Sequence, residues 1–369
     1  MMNAKRHAAC LLLGIALAGC AGASSPPSPT LAPAIPASPA TDAPTSSATD
    51  APTEVPTQTP TETPASTSAP TVASGEIAFT ATVNGVEGVY VTNVASAMTT
   101  RLADGRAPAW APDGTRIAFG RVSSDGGFTL WLMNADGSGV RSLGGGLDPY
   151  WSPDGTRIAF STSPVDLGDL WVMNADGNGR KRLEGGLGGA WSPDGTRIAS
   201  ATGAPGGGVP NLVVARADGS GTARLGSGQL PAWSPDGTRI AFVSWSEQPA
   251  IQVVDPATGT ISTVATLETD AHALAWSADG MRLSFITAGG DLGVVSAQGG
   301  EVTTAATGLS PDAVRSPDGD WFAFTVAVPE STTSDIFLSR ADGSDRQQLT
   351  TSGAASGPAW RPTPRGCNC

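Results

Sequence analysis

The sequence has few of the groups on which catalysis and nucleic-acid binding depend. It contains two histidines, four cysteines and two tyrosines in 369 residues, and 33 acidic against 21 basic residues give a net charge of −12. The longest basic run is only Arg180-Lys181-Arg182. Because non-specific binding to nucleic acid or to anionic lipid needs clustered positive charge, the composition argues against both.

Catalytic motifs are also missing. There is no G-x-S-x-G nucleophile elbow, and His272 is the one histidine that remains if the N-terminal segment carrying His7 is removed. A single histidine without clustered thiols does not make a metal site. We therefore expect no catalytic residue, no cofactor and no bound metal.

The longest apolar stretch lies at the N-terminus, where Ala8–Ala18 follows Lys5 and Arg6. It is about half as long as a membrane-spanning helix, so it reads as the apolar region of a secretory signal. It ends in Leu17-Ala18-Gly19-Cys20, which resembles the bacterial lipobox. That resemblance implies that residues 1–19 are a lipoprotein signal peptide and that Cys20 carries the lipid; an ordinary signal peptide with an incidental cysteine is the alternative.

Residues 20–74 begin with Cys20 and continue almost entirely in Ala, Pro, Ser and Thr. Such a composition cannot bury a core, and its prolines favour extended backbone. We predict a disordered linker that holds the folded part away from a membrane, and its Ser/Thr/Pro bias also permits O-glycosylation.

The rest of the chain is built from a repeat, which is complete as W-S-P-D-G-T-R-I-A-F at Trp151–Phe160. Six further copies, some of them degenerate or truncated, are spaced 39 to 45 residues apart. Their first residues, with that of the complete copy, are Trp110, Trp151, Trp191, Trp233, Trp276, Arg315 and Trp360. A fixed period of this length indicates one supersecondary unit stacked many times.

One repeat predicts four strands. The first strand, Asp148–Trp151, is followed by a Ser-Pro-Asp-Gly turn, and the second, Arg157–Ser161, is followed by a variable polar stretch. The third strand, Leu170–Met173, is followed by a second tight turn, and the fourth strand is Lys181–Leu183. Four strands in about 41 residues match one blade of a β-propeller. Their continuous apolar runs favour sheets that are covered on both faces.

The strand pair W-S-P-D-G-T-R-I-A-F followed by L-W-x-M-N-A-D-G resembles the TolB-type (WD40-like) β-propeller repeat. The resemblance covers residues 75–362 and implies an all-β propeller in the cell envelope. Counting first and second strands gives seven four-stranded blades, whereas TolB resembles a six-bladed ring, which we keep as the alternative. The count also predicts closure, with Pro358–Trp360 returning to the blade that begins at Glu76.

Repeated aspartates are the most conspicuous chemical groups, but their repetition favours a structural role. Asp154 and its counterparts follow proline in the first turn, where an aspartate accepts hydrogen bonds from its own turn. The run beginning at Asn134 resembles the front half of a calcium loop, but Gly145 stands where a bidentate Glu is required.

Binding residues are expected in the loops that do not repeat and at the starts of the first strands, which should surround one mouth of the central channel. The candidates are Arg106, Asp148, Asp166, Trp245, Glu247, His272, Asp312 and Arg315. Residues 363–369 form a tail in which Cys367 and Cys369 are a possible disulfide, with intermolecular pairing or free thiols as alternatives, since a bridge across one residue is strained.

These observations predict a monomeric, extracytoplasmic propeller, lipid-anchored to a bacterial membrane in the periplasm or at the cell surface, that binds an envelope protein or peptide without catalysis. A receptor for a small ligand or glycan at the channel mouth is the alternative, and a propeller enzyme such as a lyase is a third possibility. Trp245, Glu247 and Asp166 are the exposed loop candidates for the contact.

Overall fold

The computed structural model describes residues 73–124, 126–162, 169–202, 209–245, 248–327 and 334–363. Within these ranges all the regular structure is β. In chain order the strands are β1 (Glu76–Val83), β2 (Val86–Asn93), β3 (Met98–Asp104), β4 (Arg106–Trp110), β5 (Arg116–Val122), β6 (Phe128–Asn134), β7 (Arg141–Gly145), β8 (Leu147–Trp151), β9 (Arg157–Ser161), β10 (Leu170–Asn174), β11 (Lys181–Leu183), β12 (Leu187–Trp191), β13 (Arg197–Thr202), β14 (Asn211–Arg216), β15 (Thr222–Ser227), β16 (Gln229–Trp233), β17 (Ile240–Trp245), β18 (Pro249–Val254), β19 (Ile261–Thr266), β20 (Ala271–Trp276), β21 (Arg282–Thr287), β22 (Leu292–Ser296), β23 (Thr303–Ala306), β24 (Val314–Arg315), β25 (Trp321–Ala327), β26 (Ser334–Arg340), β27 (Gln347–Gln348) and β28 (Ala355–Trp360).

The strands form seven antiparallel sheets of four, which are the predicted blades. Blade 1 has the order β28-β1-β2-β3, and blades 2 to 7 each take four consecutive strands, from β4–β7 through β24–β27. The first strand of each blade is its inner strand, and inner strands of neighbouring blades pack together around the ring. The structure confirms the prediction of seven blades, and the six-bladed alternative is wrong.

The repeat dictates the blade register. In blade 3, Trp151 pairs with Ile158 and Phe160 pairs with Trp171, so large apolar residues of the repeat lie opposite each other on adjacent strands. The turn between β8 and β9 closes with the Gly155 amide donating to the Ser152 carbonyl. Gly155 has a φ of 68°, a conformation that glycine adopts without steric cost.

The predicted closure is also confirmed. Strand β28 pairs with β1, with Trp360 opposite Ile77 and Ala355 opposite Ala81. Arg361 then forms an ion pair with Glu76 and donates a hydrogen bond to the Gly114 carbonyl in blade 2. The last strand therefore fills the edge of the first blade that would otherwise be unpaired.

The core lies between blades. Ala118 and Leu130 of blade 2, for example, pack with Ile158 and Phe160 of blade 3 in one buried cluster. The phenylalanine that ends the repeat is fully buried in six blades, at Phe79, Phe119, Phe160, Phe242, Phe285 and Phe324. Sheets buried on both faces explain why the strands are continuously apolar.

Candidate functional site

The two ends of the strands form two different faces. The repeated-turn face carries the turns between first and second strands and between third and fourth strands. The variable face carries the other connections, including the loops that differ between blades, and the starts of the inner strands.

Polar groups on the repeated-turn face are bonded within their own turns. Asp154 accepts hydrogen bonds from the Ser152 hydroxyl at 2.5 Å and from the Thr156 amide at 3.0 Å. Partial burial works against ionisation, but these bonds together hold the pKa of Asp154 below its ordinary value. Asp136 accepts from Ser138 in the same way in a second turn. The aspartates of this face therefore serve the turns, as their repetition predicts.

Near the variable face, the inner strands carry a feature that the sequence did not reveal. Each of the inner strands β4, β8, β12, β16, β20 and β28 has a register shift of the β-bulge type three residues before its tryptophan. Residues with a positive φ stand there, namely Ala107, Asp148, Leu230, Ala273 and Gly357. The glycines that align at this position, Gly188 and Gly357, were the one signal in the sequence.

Asp148 is the group at this position with the most unusual electrostatics. Burial raises the pKa of its carboxyl from 3.8 to about 6, and Arg106 in the neighbouring blade opposes that rise. The Arg106 guanidinium is itself shared, since its Nε lies 3.7 Å from Glu87 Oε2. Asp148 in turn joins burial in raising the pKa of Tyr150. The structure thus brings two predicted residues, Arg106 and Asp148, together.

His272 lies next to the corresponding bulge in blade 6, and it is half-buried. Burial lowers its pKa, and nearby Asp270 opposes this change. Its imidazole is therefore neutral at pH 7, and its charged neighbour is Asp270 rather than Asp148.

Asp312 and Arg315 differ from the expectation that both face the channel mouth. The buried Asp312 carboxylate accepts hydrogen bonds from the Ser310 hydroxyl and from the amide and hydroxyl of Thr325, so it is taken up by the fold. Arg315 ends its strand beside the repeated-turn face, where its Nε donates to the Gly319 carbonyl at 2.7 Å.

The remaining candidates lie outside what the structure describes. Asp166 and Glu247 fall in the undescribed segments 163–168 and 246–247, and Trp245 is placed by its backbone alone. Cys20, Cys367 and Cys369 also lie outside the described residues. Their assigned roles stay predictions.

The variable face exposes apolar side chains as well as charges. Val83 and Val86 of the β1–β2 hairpin are 45% and 51% exposed, and Val122 in the next blade is 56% exposed. Glu87 follows Val86 in β2, and its Oε2 lies 3.7 Å from Nε of Arg106. Apolar area rimmed by charge is a common arrangement at protein-binding surfaces.

Metal binding and membrane spanning are two further properties of interest. Among the described residues, no group of three or more His, Cys, Asp or Glu is placed to hold a metal ion. Nor does the described part of the chain include a helix with the length and apolar character needed to span a bilayer.

Comparisons with known proteins extend the description of the fold. No protein-family model and no curated protein matches the chain. Among solved structures, TolB from Acinetobacter baumannii is 18% identical, with 78% of this chain and 80% of that chain covered and a TM-score of 0.49. Oligogalacturonate lyase from Vibrio parahaemolyticus is 13% identical, covering 72% and 86% with a TM-score of 0.57.

The β-propeller domain of the Trilobed protease from Pyrococcus furiosus is 13% identical, covering 76% of this chain and 96% of that one with a TM-score of 0.56. Identities this low show the fold and do not transfer an activity. The chain is a β-propeller of seven blades, and TolB proteins are among the solved structures similar to it.

Proposed function

We propose that this propeller is a non-catalytic binding module of the bacterial cell envelope, and that its variable face binds a protein or peptide. The observation that carries the proposal is the contrast between the faces. Asp154 and its counterparts are hydrogen-bonded inside their turns, whereas on the variable face Asp148 belongs to no such turn and feels the charge of Arg106 in the neighbouring blade; exposed apolar side chains occur on both faces and do not distinguish them.

Asp148 gives the proposed site a chemical preference. Asp148 is a partly buried carboxylate near a cation that is shared with Glu87, so it gains from a second positive charge, which favours its ionised form. The partner is therefore expected to offer a lysine, an arginine or an N-terminal amine at the mouth between blades 2 and 3. Two groups at the mouth have shifted pKa values, Asp148 and His272. Each has its own charged neighbour, so the two do not act as an acid–base pair, and this supports binding rather than acid–base catalysis.

Crosslinking of the full chain in cells, followed by affinity capture, tests the face. Val122→Glu on the variable face should lose the crosslinked partner, and Asp148→Asn should capture less of it. Met281→Glu is the matched control, because Met281 is similarly exposed, at 63% against 56% for Val122, but lies on the repeated-turn face. Loss of the partner with Met281→Glu and its retention with Val122→Glu would show that the proposed face is wrong.

The pH dependence of capture tests the role of Asp148. Because cation binding needs the ionised carboxyl, whose pKa is about 6, capture should be strong at about pH 7.5 and depleted at about pH 5. In Asp148→Asn the weaker capture should be the same at both pH values. An equal pH response in the two proteins would assign the effect to another group.

We also propose that Cys20 carries the lipid anchor and that residues 1–19 are removed, so that the propeller acts outside the cytoplasm. The support is the order of charged residues, apolar run and Leu17-Ala18-Gly19-Cys20. Two acyl chains hold a protein on a membrane, whereas a single chain binds only marginally. Cys20→Ala should move the protein from the membrane fraction to the soluble fraction and abolish labelling by a fatty-acid analogue; an unchanged distribution would exclude the anchor.

A further inference from the structure

Six of the seven seams between blades are built around an indole. The tryptophans that end six inner strands are Trp110, Trp151, Trp191, Trp233, Trp276 and Trp360. Each Nε1 donates to a carbonyl of the preceding inner strand, at N···O distances of 2.9 to 3.2 Å. The acceptor is always the residue just before the tryptophan position of that strand.

A guanidinium covers most of these indoles. In five seams an arginine carbon Cζ lies 4.5 to 5.1 Å from the ring centre, within the range of cation–π contacts. All five arginines belong to the preceding blade or directly follow its last strand, and each also donates to a glycine carbonyl in the turn after the tryptophan. Arg239, for example, covers Trp276 and donates to the Gly280 carbonyl at 3.1 Å.

The seam between blades 6 and 7 has every part of this arrangement except the indole. Arg315 stands in the tryptophan position. Its Nε donates to the Gly319 carbonyl, which aligns with the glycine carbonyls that accept hydrogen bonds from the covering arginines of the other seams. Arg282 has therefore lost both its ring and its acceptor, and it lies near enough to Arg315 to oppose that residue's charge. The Ala275 carbonyl aligns with the indole acceptors of the other seams.

Space remains where the ring is missing. A cavity of about 30 Å³ lies between the blades, lined by Ala273, Ala275 and Ile286 on one side and by Ala313, Arg315 and Phe322 on the other. That volume holds about two water molecules, so an indole fits only if the Arg315 side chain turns outward. Strand β24 has only two residues, so β20 and β24 face each other over a shorter length than the other neighbouring inner strands do.

We propose that the seam between blades 6 and 7 is a docking slot for the indole of a tryptophan on a partner polypeptide, with Arg315 as its movable cover. The Ala275 carbonyl accepts the indole N–H, and Arg282 covers the ring as Arg239 covers Trp276 one seam earlier. We infer an indole as the occupant because the same arrangement of carbonyl acceptor and arginine surrounds an indole in the other seams. This slot lies in the seam between blades 6 and 7, so it is separate from the proposed variable-face site at blades 2 and 3.

N-acetyltryptophanamide is the probe, titrated into the full chain and followed by ligand-observed NMR. Arg315→Ala removes the cover and should bind the probe about tenfold more tightly than the wild-type chain. Arg315→Trp fills the slot from within, so it should bind no probe and should unfold at a higher temperature. The 1-methyl derivative of the probe, which lacks the N–H, should bind Arg315→Ala about fivefold more weakly, as expected for one net hydrogen bond.

Trp191→Ala is the matched control, because it empties an intact seam whose acceptor is the Tyr150 carbonyl and whose covering residue is Arg157. Circular dichroism establishes that each variant is folded before titration. If folded Arg315→Ala fails to bind the probe at about 10 mM, or if Arg315→Trp binds it equally well, the slot does not exist. Neither result depends on whether the variable face has a partner.

Discussion

Two aspartates at the same position of the repeat have opposite environments, which makes them the clearest residue-scale comparison in the molecule. Both stand three residues before the end of an inner strand, Asp148 in blade 3 and Asp312 in blade 7. The Asp148 carboxyl is partly buried near the shared Arg106, whereas the Asp312 carboxyl is buried and accepts three hydrogen bonds from Ser310 and Thr325. The presence of an aspartate at this position of the repeat therefore does not determine what its carboxyl group does.

Asp148→Asn should stabilise the protein at neutral pH. The folded-state pKa of about 6 lies above the ordinary 3.8, so burying the charge costs stability above pH 6 and costs nothing below pH 4. After discounting for solvent access, we expect a gain of about 1–2 kcal/mol at pH 7, which disappears as the pH falls toward 4. Urea unfolding at several pH values measures it.

The same change at the aligned aspartate should have the opposite sign. Asp312→Asn weakens bonds from Ser310 and Thr325 to a buried carboxylate, so we expect a loss of about 1–3 kcal/mol. A gain from both substitutions would mean that removing negative charge from this acidic chain, and not the local burial of Asp148, sets the effect.

At the scale of the element, the bulges in the inner strands β4, β8, β16 and β20 impose a left-handed conformation on a residue that is not glycine. Ala107 has a φ of 49°, and its amide donates to the Thr80 hydroxyl in blade 1. A left-handed conformation costs an L-residue about 1–2 kcal/mol, which glycine avoids. Part of that gain is offset by the larger entropy that glycine loses on folding.

Ala107→Gly should therefore raise the free energy of unfolding by about 0.5 kcal/mol, and chemical denaturation measures the change. Ala109→Gly, two residues further along β4, is the control, because Ala109 pairs regularly with Ala118 and has no positive φ. That variant should lose about 0.5–1 kcal/mol. Stabilisation by both changes would show that strand flexibility, not the bulge, limits β4.

The strands were well predicted from the sequence because the repeat gives several copies of each strand pattern. The predicted strand Arg157–Ser161 matches β9, Lys181–Leu183 matches β11, and the closing strand pairs as expected. The bulges were missed because a residue such as Asp148 or Leu230 carries no local mark of a positive φ. Arg315 was predicted at the wrong end of its strand. It replaces the tryptophan of the repeat, which directly precedes the first turn, so it lies beside the repeated-turn face.

At the scale of the whole molecule, the closing strand joins the two ends of the ring. Trp360 in β28 donates to the Val314 carbonyl of blade 7, and Trp110 of blade 2 donates to the Ala359 carbonyl of β28. Removing β28 thus breaks both seams of blade 1 and leaves β1 as an unpaired edge.

Truncation after Gly353 should accordingly lower the melting temperature by more than 10 °C, at about 2–4 °C per kcal/mol for a domain of this size, and should promote association. Truncation after Thr363, which keeps β28 and Arg361, is the control and should melt close to the full chain. Calorimetry and gel filtration make the comparison. Equal melting of both truncations would show that the ring does not depend on its closure.

Acid stability is a property of the whole ring, because its turns repeat one carboxylate arrangement. Hydrogen bonds within their own turns help to lower the pKa of Asp113, Asp136, Asp154, Asp176, Asp194, Asp218, Asp236, Asp255, Asp279 and Asp342. A lowered folded-state pKa contributes stability that is complete above the ordinary value of 3.8 and is lost as the pH falls below it. The free energy of unfolding should therefore drop steeply below about pH 4.

Between pH 6.5 and 4 two groups act in opposite directions. Asp148, with its raised pKa, takes up a proton more readily in the folded state and adds stability as the pH falls. His272, with its lowered pKa, takes one up more readily in the unfolded state and subtracts stability. As the pH falls through this window, Asp148→Asn, which keeps only the histidine effect, should lose stability relative to the wild-type protein; parallel curves for the two proteins would mean that the Asp148 carboxyl is not partly buried as described.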